Sequence, residues 1–320
     1  MAALVRWGIL GTGLINRRFL AHAREAANAE FVAVGSRTPE RAASFASEYG
    51  IGRAHGSYDD LLADPGVDVV YICLPNGLHH AWTMRALAAG KHVLCEKPYS
   101  RRPAEVVEAF DAAAAAGLHL MEGFMWRHTP QARRFMEVLP EVGELQAIRA
   151  SFSFRMEGTQ DVRLRPDLDG GSLMDVGCSC VSGARMTVGF EPESVYGEQV
   201  VGPSGVDVRF AGLLSFPDGP TASIVSGFGS DHATLEAIGD KGSLFLRDPW
   251  TGQAPAMWLD AREIPIQPDD PYRLEVENLS AAIRGEAQPL LGRDDALGQA
   301  RTIAALYRSA ETGAPVVVDR

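Results

Sequence analysis

The strongest constraint on this chain lies in its first 120 residues, where continuous apolar runs alternate with helix-patterned stretches. Residues 4–10 are apolar apart from Arg6 and end in Gly11-Thr12-Gly13, and a helical pattern follows over 14–27. A short apolar run at 31–34 ends at Gly35-Ser36-Arg37; Thr38 then suits a helix N-cap and Pro39 the first helical position. Residues 68–74 are, after Asp68, β-branched and apolar, bounded by Pro75-Asn76-Gly77, and 78–89 reads as a helix stopped by Gly90. A further buried strand covers 92–95, and a helix over 103–116 stops at Gly117. Strands that are apolar throughout, rather than at alternate residues, belong to parallel sheets covered on both faces. The expectation is an α/β Rossmann-type, doubly wound parallel sheet.

Beyond about residue 145 the pattern changes. Alternating or short apolar runs at 148–154, 195–201, 206–215, 222–228, 233–238 and 243–246 follow one another without helices between them. Turn signals such as Pro203-Ser204-Gly205 and Pro217-Asp218-Gly219 separate them. This predicts an α+β domain with a large, mostly antiparallel open sheet. Near the end, Asp294 and Asp295 favour a helix start, Ile303, Leu306, Tyr307 and Ala310 form an apolar stripe, and Gly313 closes it. With 320 residues, two domains are expected. They are a dinucleotide-binding domain over 1–122 and a substrate and dimerisation domain over 123–320, with the terminal helix at about 293–312 packing back towards the first.

Charge and composition exclude several function classes. Thirty Lys and Arg face 41 Asp and Glu, a net charge of −11, so nucleic acid and anionic membrane surfaces are not expected partners. The longest apolar runs, such as 112–116, are far short of a membrane span of about 20 residues. Residues 1–10 run straight into a strand pattern without the parts of a secretory leader. Cys73, Cys95, Cys178 and Cys180 are too few and too irregularly spaced for a disulfide framework, and Cys178 and Cys180 lack the second cluster a zinc site needs. No metal and a reducing cytoplasm are expected. Only three of the thirty basic residues are lysines: Lys91, Lys97 and Lys241.

Gly11-Thr12-Gly13-Leu14-Ile15-Asn16 follows a buried strand and opens a helix, as a dinucleotide-binding turn requires. Its glycines let backbone N–H groups approach a pyrophosphate at the helix N-terminus. Asn16 replaces the third glycine, and a tight strand–helix turn without a ligand is the alternative. At the end of the second strand an NAD site carries an acidic residue, whereas this chain has Ser36 and Arg37, with Arg41 one turn on. A hydroxyl and guanidinium groups suit a 2′-phosphate, so NADP is preferred over NAD. A merely solvated Arg37 implies dual specificity instead.

Glu96-Lys97-Pro98 follows the strand at 92–95, and the carboxyl ends of such strands face the ligand crevice. Together with Gly11-Thr12-Gly13, Leu74-Pro75-Asn76 with His79, and Gly170-Gly171-Ser172-Leu173-Met174-Asp175-Val176-Gly177, it gives the chain a resemblance to a known family. The chain resembles, over essentially its whole length, the glucose–fructose oxidoreductase, inositol dehydrogenase and rhizopine-catabolism (Gfo/Idh/MocA) family. Residues 122–131 (E-G-F-M-W-R-H-T-P-Q) are most similar to the branch of NADP-dependent D-xylose dehydrogenases, 1,5-anhydrofructose reductases and dimeric dihydrodiol dehydrogenases. The resemblance implies that Leu74, Pro75, Asn76 and His79 border the nicotinamide and its ribose and that Glu96 positions it. It implies that Lys97 holds the reacting oxygen and shares in proton transfer, that Arg163 reaches the cofactor phosphates, and that Asp175 contacts the substrate or orients the acid. Arg127 and Tyr272 are expected at the substrate. A homodimer, or a dimer of dimers, through the open sheet is also implied.

One position departs from the family. The pattern D-x-G-x-[His or Tyr] ends in the general acid–base, but this chain reads Asp175-Val176-Gly177-Cys178-Ser179. A serine hydroxyl is too weak an acid to replace an imidazole or phenol. Three possibilities stand open: Lys97 donates, with Ser179 relaying or binding; His128 or Tyr272 substitutes; or turnover is lost. The expected function is an NADP-dependent oxidoreductase that moves hydride between the nicotinamide and a carbonyl or secondary alcohol of a sugar, polyol or dihydrodiol-like small molecule. The alternative is a catalytically silent NADP-binding sensor.

Overall fold

A computed structural model describes residues 3–319 except 159, 218 and 253; Met1 and Ala2, and Asp218 of the Pro217–Gly219 turn signal, lie outside the described residues. The chain forms two compact units. One takes in the chain up to Ser100, Ala104–Met125 and Tyr272–Ala296; the other takes in Arg101–Pro103, Trp126–Pro271 and the chain from Leu297 onwards.

In the first unit, β1 (Val5–Leu10), β2 (Ala29–Gly35), β3 (Arg53–His55), β4 (Val69–Ile72), β5 (His92–Glu96) and β6 (Leu120–Gly123) form one sheet of order β3-β2-β1-β4-β5-β6. All its pairings are parallel. The intervening helices are α1 (Ile15–Ala23), α2 (Pro39–Tyr49), α3 (Tyr58–Leu62), α4 (His79–Ala88) and α5 (Pro103–Ala115). The central strands are apolar because both faces are covered: Ile9, Leu10, Val70 and Ile72 are fully buried. Each such side chain contributes roughly 1.5–3 kcal/mol relative to exposure. Thr38 caps α2 as its sequence position predicts, accepting from the Arg41 amide at 3.4 Å, and Pro39 occupies the first turn. The helix expected over 14–27 ends at Ala23, where the Glu25 and Ala26 amides turn back onto the carbonyls of His22 and Ala23. A later segment also belongs here. In the helix Pro271–Ile283, Ser280 accepts from the fully buried Trp7 indole at 3.0 Å, and the Glu277 carbonyl accepts from the Asn28 amide at 2.9 Å.

In the second unit, α6 (Pro130–Val138) precedes β7 (Leu145–Ser153), and α7 spans Cys178–Val188. Then come β8 (Ser194–Val201), β9 (Asp207–Ser215), β10 (Thr221–Gly227), β11 (His232–Gly239), β12 (Ser243–Arg247), β13 (Ala256–Leu259), β14 (Arg262–Ile264) and β15 (Val316–Val317). The helix of residues 271–283 is α8, and α9 spans Arg293–Thr312. The nine strands form one sheet, β14-β13-β12-β11-β7-β10-β9-β8-β15. It is antiparallel except where β10 runs parallel to β7. Alternation along β9 buries Phe210 and Leu214 and exposes Ala211 and Leu213. The short strands β3 and β13 to β15 escape the sequence pattern because two to four residues are too few to display a period. Among the described residues no helix is long and apolar enough to cross a membrane.

Candidate active site

In the first unit the strand order reverses between β1 and β4, and the loops that follow these two strands meet. Such a switch point is where open α/β sheets bind ligands. Gly11 adopts φ +117°, a conformation that side chains rarely tolerate, and a Cβ there lies 3.1 Å from the Leu74 side chain and 3.2 Å from Cys73 Sγ. The N-terminus of α1 begins at Leu14 with no side-chain cap. Asn16, in place of the third glycine, is buried; its Nδ2 donates to the Gly11 carbonyl at 3.2 Å and to Cys73 Sγ at 3.1 Å. The side-chain amide thus braces the turn. Burial pushes the Cys73 thiol up to about 12, which keeps it protonated.

The end of β2 carries no carboxylate in Gly35-Ser36-Arg37. Ser36 is buried with its hydroxyl 3.2 Å from that of Thr12, which joins the first two loops of the crevice. Arg37 and Arg41 are exposed, and both lie near enough to the Tyr58 phenol to favour its ionisation, although burial outweighs them and raises its pKa. Ser36 and Arg37 thus follow β2 with a hydroxyl and a guanidinium, and Arg41 comes in the first turn of α2.

At the end of β5, Lys97 is half-buried and its bond to Pro98 is cis. Glu96 Oε1 accepts from the Tyr71 hydroxyl at 2.5 Å, and Oε2 accepts from the Lys97 amide at 3.2 Å. His79 is fully buried, with Nδ1 2.9 Å from the Pro98 carbonyl and Nε2 2.8 Å from the Leu74 carbonyl. It ties the loop after β4 to the loop after β5. Burial drives its pKa down, the two carbonyls oppose this, and the nearby Lys97 charge adds to the fall. Glu122, at the end of β6, accepts from the Tyr99 amide at 2.7 Å and so fixes the far side of the Lys97 loop. Neither clamp is visible locally, because each joins groups about twenty residues apart.

In the second unit, a π-helical turn over Leu173–Gly177 runs directly into α7. Asp175 lies in that turn, and Ser179, only 3% exposed, lies in the first turn of α7. Arg163 Nε donates to Asp175 at 2.8 Å, and its Nη1 donates to Asp161 at 3.2 Å. The Asp175 charge, above all, holds the Arg163 guanidinium ionised. Arg127, in the 3-10 turn Met125–His128 that precedes α6, reaches α7, donating to Ser182 at 3.2 Å. Burial and the adjacent Arg127 lower His128 to about 3, so it is a neutral imidazole at pH 7. Tyr272 lies in the first unit, buried edge-on against Phe19, whose ring stacks on Tyr71 at 3.8 Å. Cys178 and Cys180 are fully buried and behave as small apolar residues.

The chain is similar to proteins already characterised. Residues 5–124 match the oxidoreductase family with an NAD-binding Rossmann fold, and residues 140–245 match the GFO/IDH/MocA C-terminal domain. The D-xylose 1-dehydrogenase (NADP(+)) 2 of Haloferax volcanii is 40% identical, covering 98% of this chain and 99% of its own. Among solved structures, aldose-aldose oxidoreductase from Caulobacter crescentus with glycerol superposes with a TM-score of 0.92 at 29% identity, over 98% of this chain and 99% of that one. A 3-ketoreductase from Actinomadura kijaniata with NADP and TDP-benzene gives 0.88 at 29% identity, over 96% and 98%. The sheet order, the two matched regions and full-length identity agree: this chain belongs to the GFO/IDH/MocA oxidoreductase family.

Proposed function

We propose that the protein is an NADP-dependent oxidoreductase that transfers hydride between the nicotinamide and a carbonyl or secondary alcohol of a sugar, polyol or dihydrodiol-like small molecule. The observation that carries this is the grouping of Gly11-Thr12-Gly13, Leu74 and Lys97 at the carboxyl ends of adjacent strands β1, β4 and β5. Relatives named for NADP(+) or solved with NADP support the choice of cofactor. When bound, the nicotinamide supplies or accepts the hydride. The turn at Gly11–Gly13 and the open α1 terminus, with Leu14 and Ile15, fit its pyrophosphate, since Gly11 at φ +117° leaves the backbone there bare of a side chain. Ser36, Arg37 and Arg41 take the 2′-phosphate, and Leu74, Pro75 and Asn76 form the wall beside the nicotinamide. Glu96 orients the start of the Lys97 loop, and buried His79 keeps the two loops in register.

Lys97 is the proton carrier of this proposal. Its ammonium holds the substrate oxygen and gives it a proton during reduction; the free amine takes that proton back in the reverse direction. Asp175 and Ser179 contact the substrate, with Arg163 orienting Asp175 besides the phosphate contact expected of it, and Arg127 aids substrate binding. His128 fits the donor role poorly, because a group with a pKa of about 3 carries no proton near neutrality. Tyr272 fits it poorly too, being buried edge-on against Phe19. We also propose a cytoplasmic homodimer, or dimer of dimers, through the open sheet face, where Leu213 and Val225 are about half exposed.

Nicotinamide absorbance, followed with NADPH and NADH against aldoses, ketoses, polyols and dihydrodiols, tests the function. Turnover with NADPH is expected. Lys97→Ala lowers kcat by about 10²- to 10⁴-fold while NADPH still binds; a fully active variant overturns the chemistry. NADPH binding without turnover on any substrate favours the silent sensor.

A further inference from the structure

We propose that Asp207 is a positioning residue for the reaction, holding in place the π-helical turn that carries Asp175. This rests on Asp175 belonging to the working site. Asp207 opens β9 and is 3% exposed. Its Oδ2 accepts from the Ser172 hydroxyl at 2.8 Å and from the Leu173 amide at 2.7 Å. Its Oδ1 accepts from the Tyr307 hydroxyl of α9 at 2.8 Å. Three donors converge on two oxygens, which is the pattern of an ionised carboxylate. Burial pushes its pKa up, and the Leu173 amide, Ser172 and Tyr307 oppose that rise.

The placement matters because the first amides of a helical segment have no partner within it. Ser172 occupies the N-cap of the turn, yet its side chain makes no cap bond. Its hydroxyl instead donates to Asp207, and the carboxylate accepts the Leu173 amide directly. A negative charge at this end also complements the dipole of the segment. The cap is thus supplied from a strand more than thirty residues away. Gly171 makes the approach possible: its φ is +120°, and a Cβ there would lie 2.1 Å from Asp207 Oδ1. The Ser172 hydroxyl is also 3.1 Å from that of Ser226 on β10, so the start of the turn is fastened to two strands. From the other side, the Gly171 carbonyl accepts the Asp175 amide at 2.9 Å, and the Arg163 carbonyl accepts the Gly171 amide at 2.8 Å. Asp207 therefore sets the origin of the run on which Asp175 and Ser179 follow.

The test uses the full chain with Asp207→Ala and Asp207→Asn. Asparagine keeps one acceptor oxygen for the Leu173 amide; alanine keeps none. A misplacement of about 1 Å at a reacting group costs on the order of 10²-fold in rate. Asp207→Ala is therefore expected to lower kcat by about 10²-fold, and Asp207→Asn to recover about tenfold of that loss, while the KM for NADPH stays within about twofold. Amide exchange over residues 171–179 is expected to quicken in both variants, more in Asp207→Ala. If Asp207→Ala does not fold, Asp207→Asn decides alone. Wild-type kcat with wild-type exchange in Asp207→Asn overturns the proposal, as does a loss confined to NADPH binding. Exchange is read without turnover, so a wild-type protein inactive on every substrate counts against the proposed function while this test still stands.

Discussion

Tyr71→Phe removes one oxygen from the support of the Lys97 loop and changes little else. The tyrosine is fully buried, and its ring stacks on Phe19 at 3.8 Å with an interplanar angle of 13°, a contact phenylalanine retains without leaving a cavity. What disappears is a 2.5 Å hydrogen bond to Glu96 Oε1. Burial and the neighbouring carboxylate hold the Tyr71 phenol well above its ordinary pKa, so it remains a donor at every working pH. A hydrogen bond to a charged acceptor nets about 1.5–3 kcal/mol, and a neutral one about 0.5–1.5 kcal/mol. At pH 7 the variant is expected to lose about 2 kcal/mol, a fall of roughly 4–8 °C in the melting transition of a unit of this size. Calorimetric melts at pH 7 supply the measurement. A shift below about 1 °C refutes the idea that this hydrogen bond supports the Lys97 loop through Glu96.

Other perturbations separate the remaining roles. Arg37→Ala with Arg41→Ala is expected to raise the Kd for NADPH by about 10- to 100-fold, since each charge-assisted contact is worth about 1.5 kcal/mol. NADH affinity should stay within about twofold, and equal losses for both cofactors overturn the 2′-phosphate assignment. His128, with a pKa of about 3 against the ordinary 6.5, refuses a proton that the unfolded chain accepts, so stability falls as pH drops from 6.5 towards 3. His128→Gln should reduce the slope of stability against pH in that window by up to about 1.4 kcal/mol per pH unit; an unchanged slope shows that the imidazole is solvated.

Much of the candidate site is legible in local sequence because its parts sit where strands end. Gly11-Thr12-Gly13, Ser36-Arg37 and Glu96-Lys97-Pro98 each follow a short apolar run, and the sheet presents them at its carboxyl edge. The supports around them are not legible. His79 lies in a motif that points towards the cofactor, yet its ring is buried between two backbone carbonyls. Asn16 looks like a lost glycine but braces the turn from which it departs. Arg163 carries a charge suited to phosphate and is held by two carboxylates, one of them twelve residues ahead.

By itself the sequence determined the alternation of buried strands and helices, the change to an alternating pattern beyond residue 145, and the position of Lys97 at a strand end in a chain with three lysines. These follow from side-chain periodicity and turn chemistry, which act over a few residues. Only the tertiary structure decided that β7 and β10 run parallel, that Tyr272–Ala296 joins the first compact unit, and that Asp207 caps the turn at Leu173. Each of these depends on groups far apart in the chain coming within hydrogen-bonding distance. Buried polar groups must find partners wherever packing brings them, and no local pattern records which ones they find.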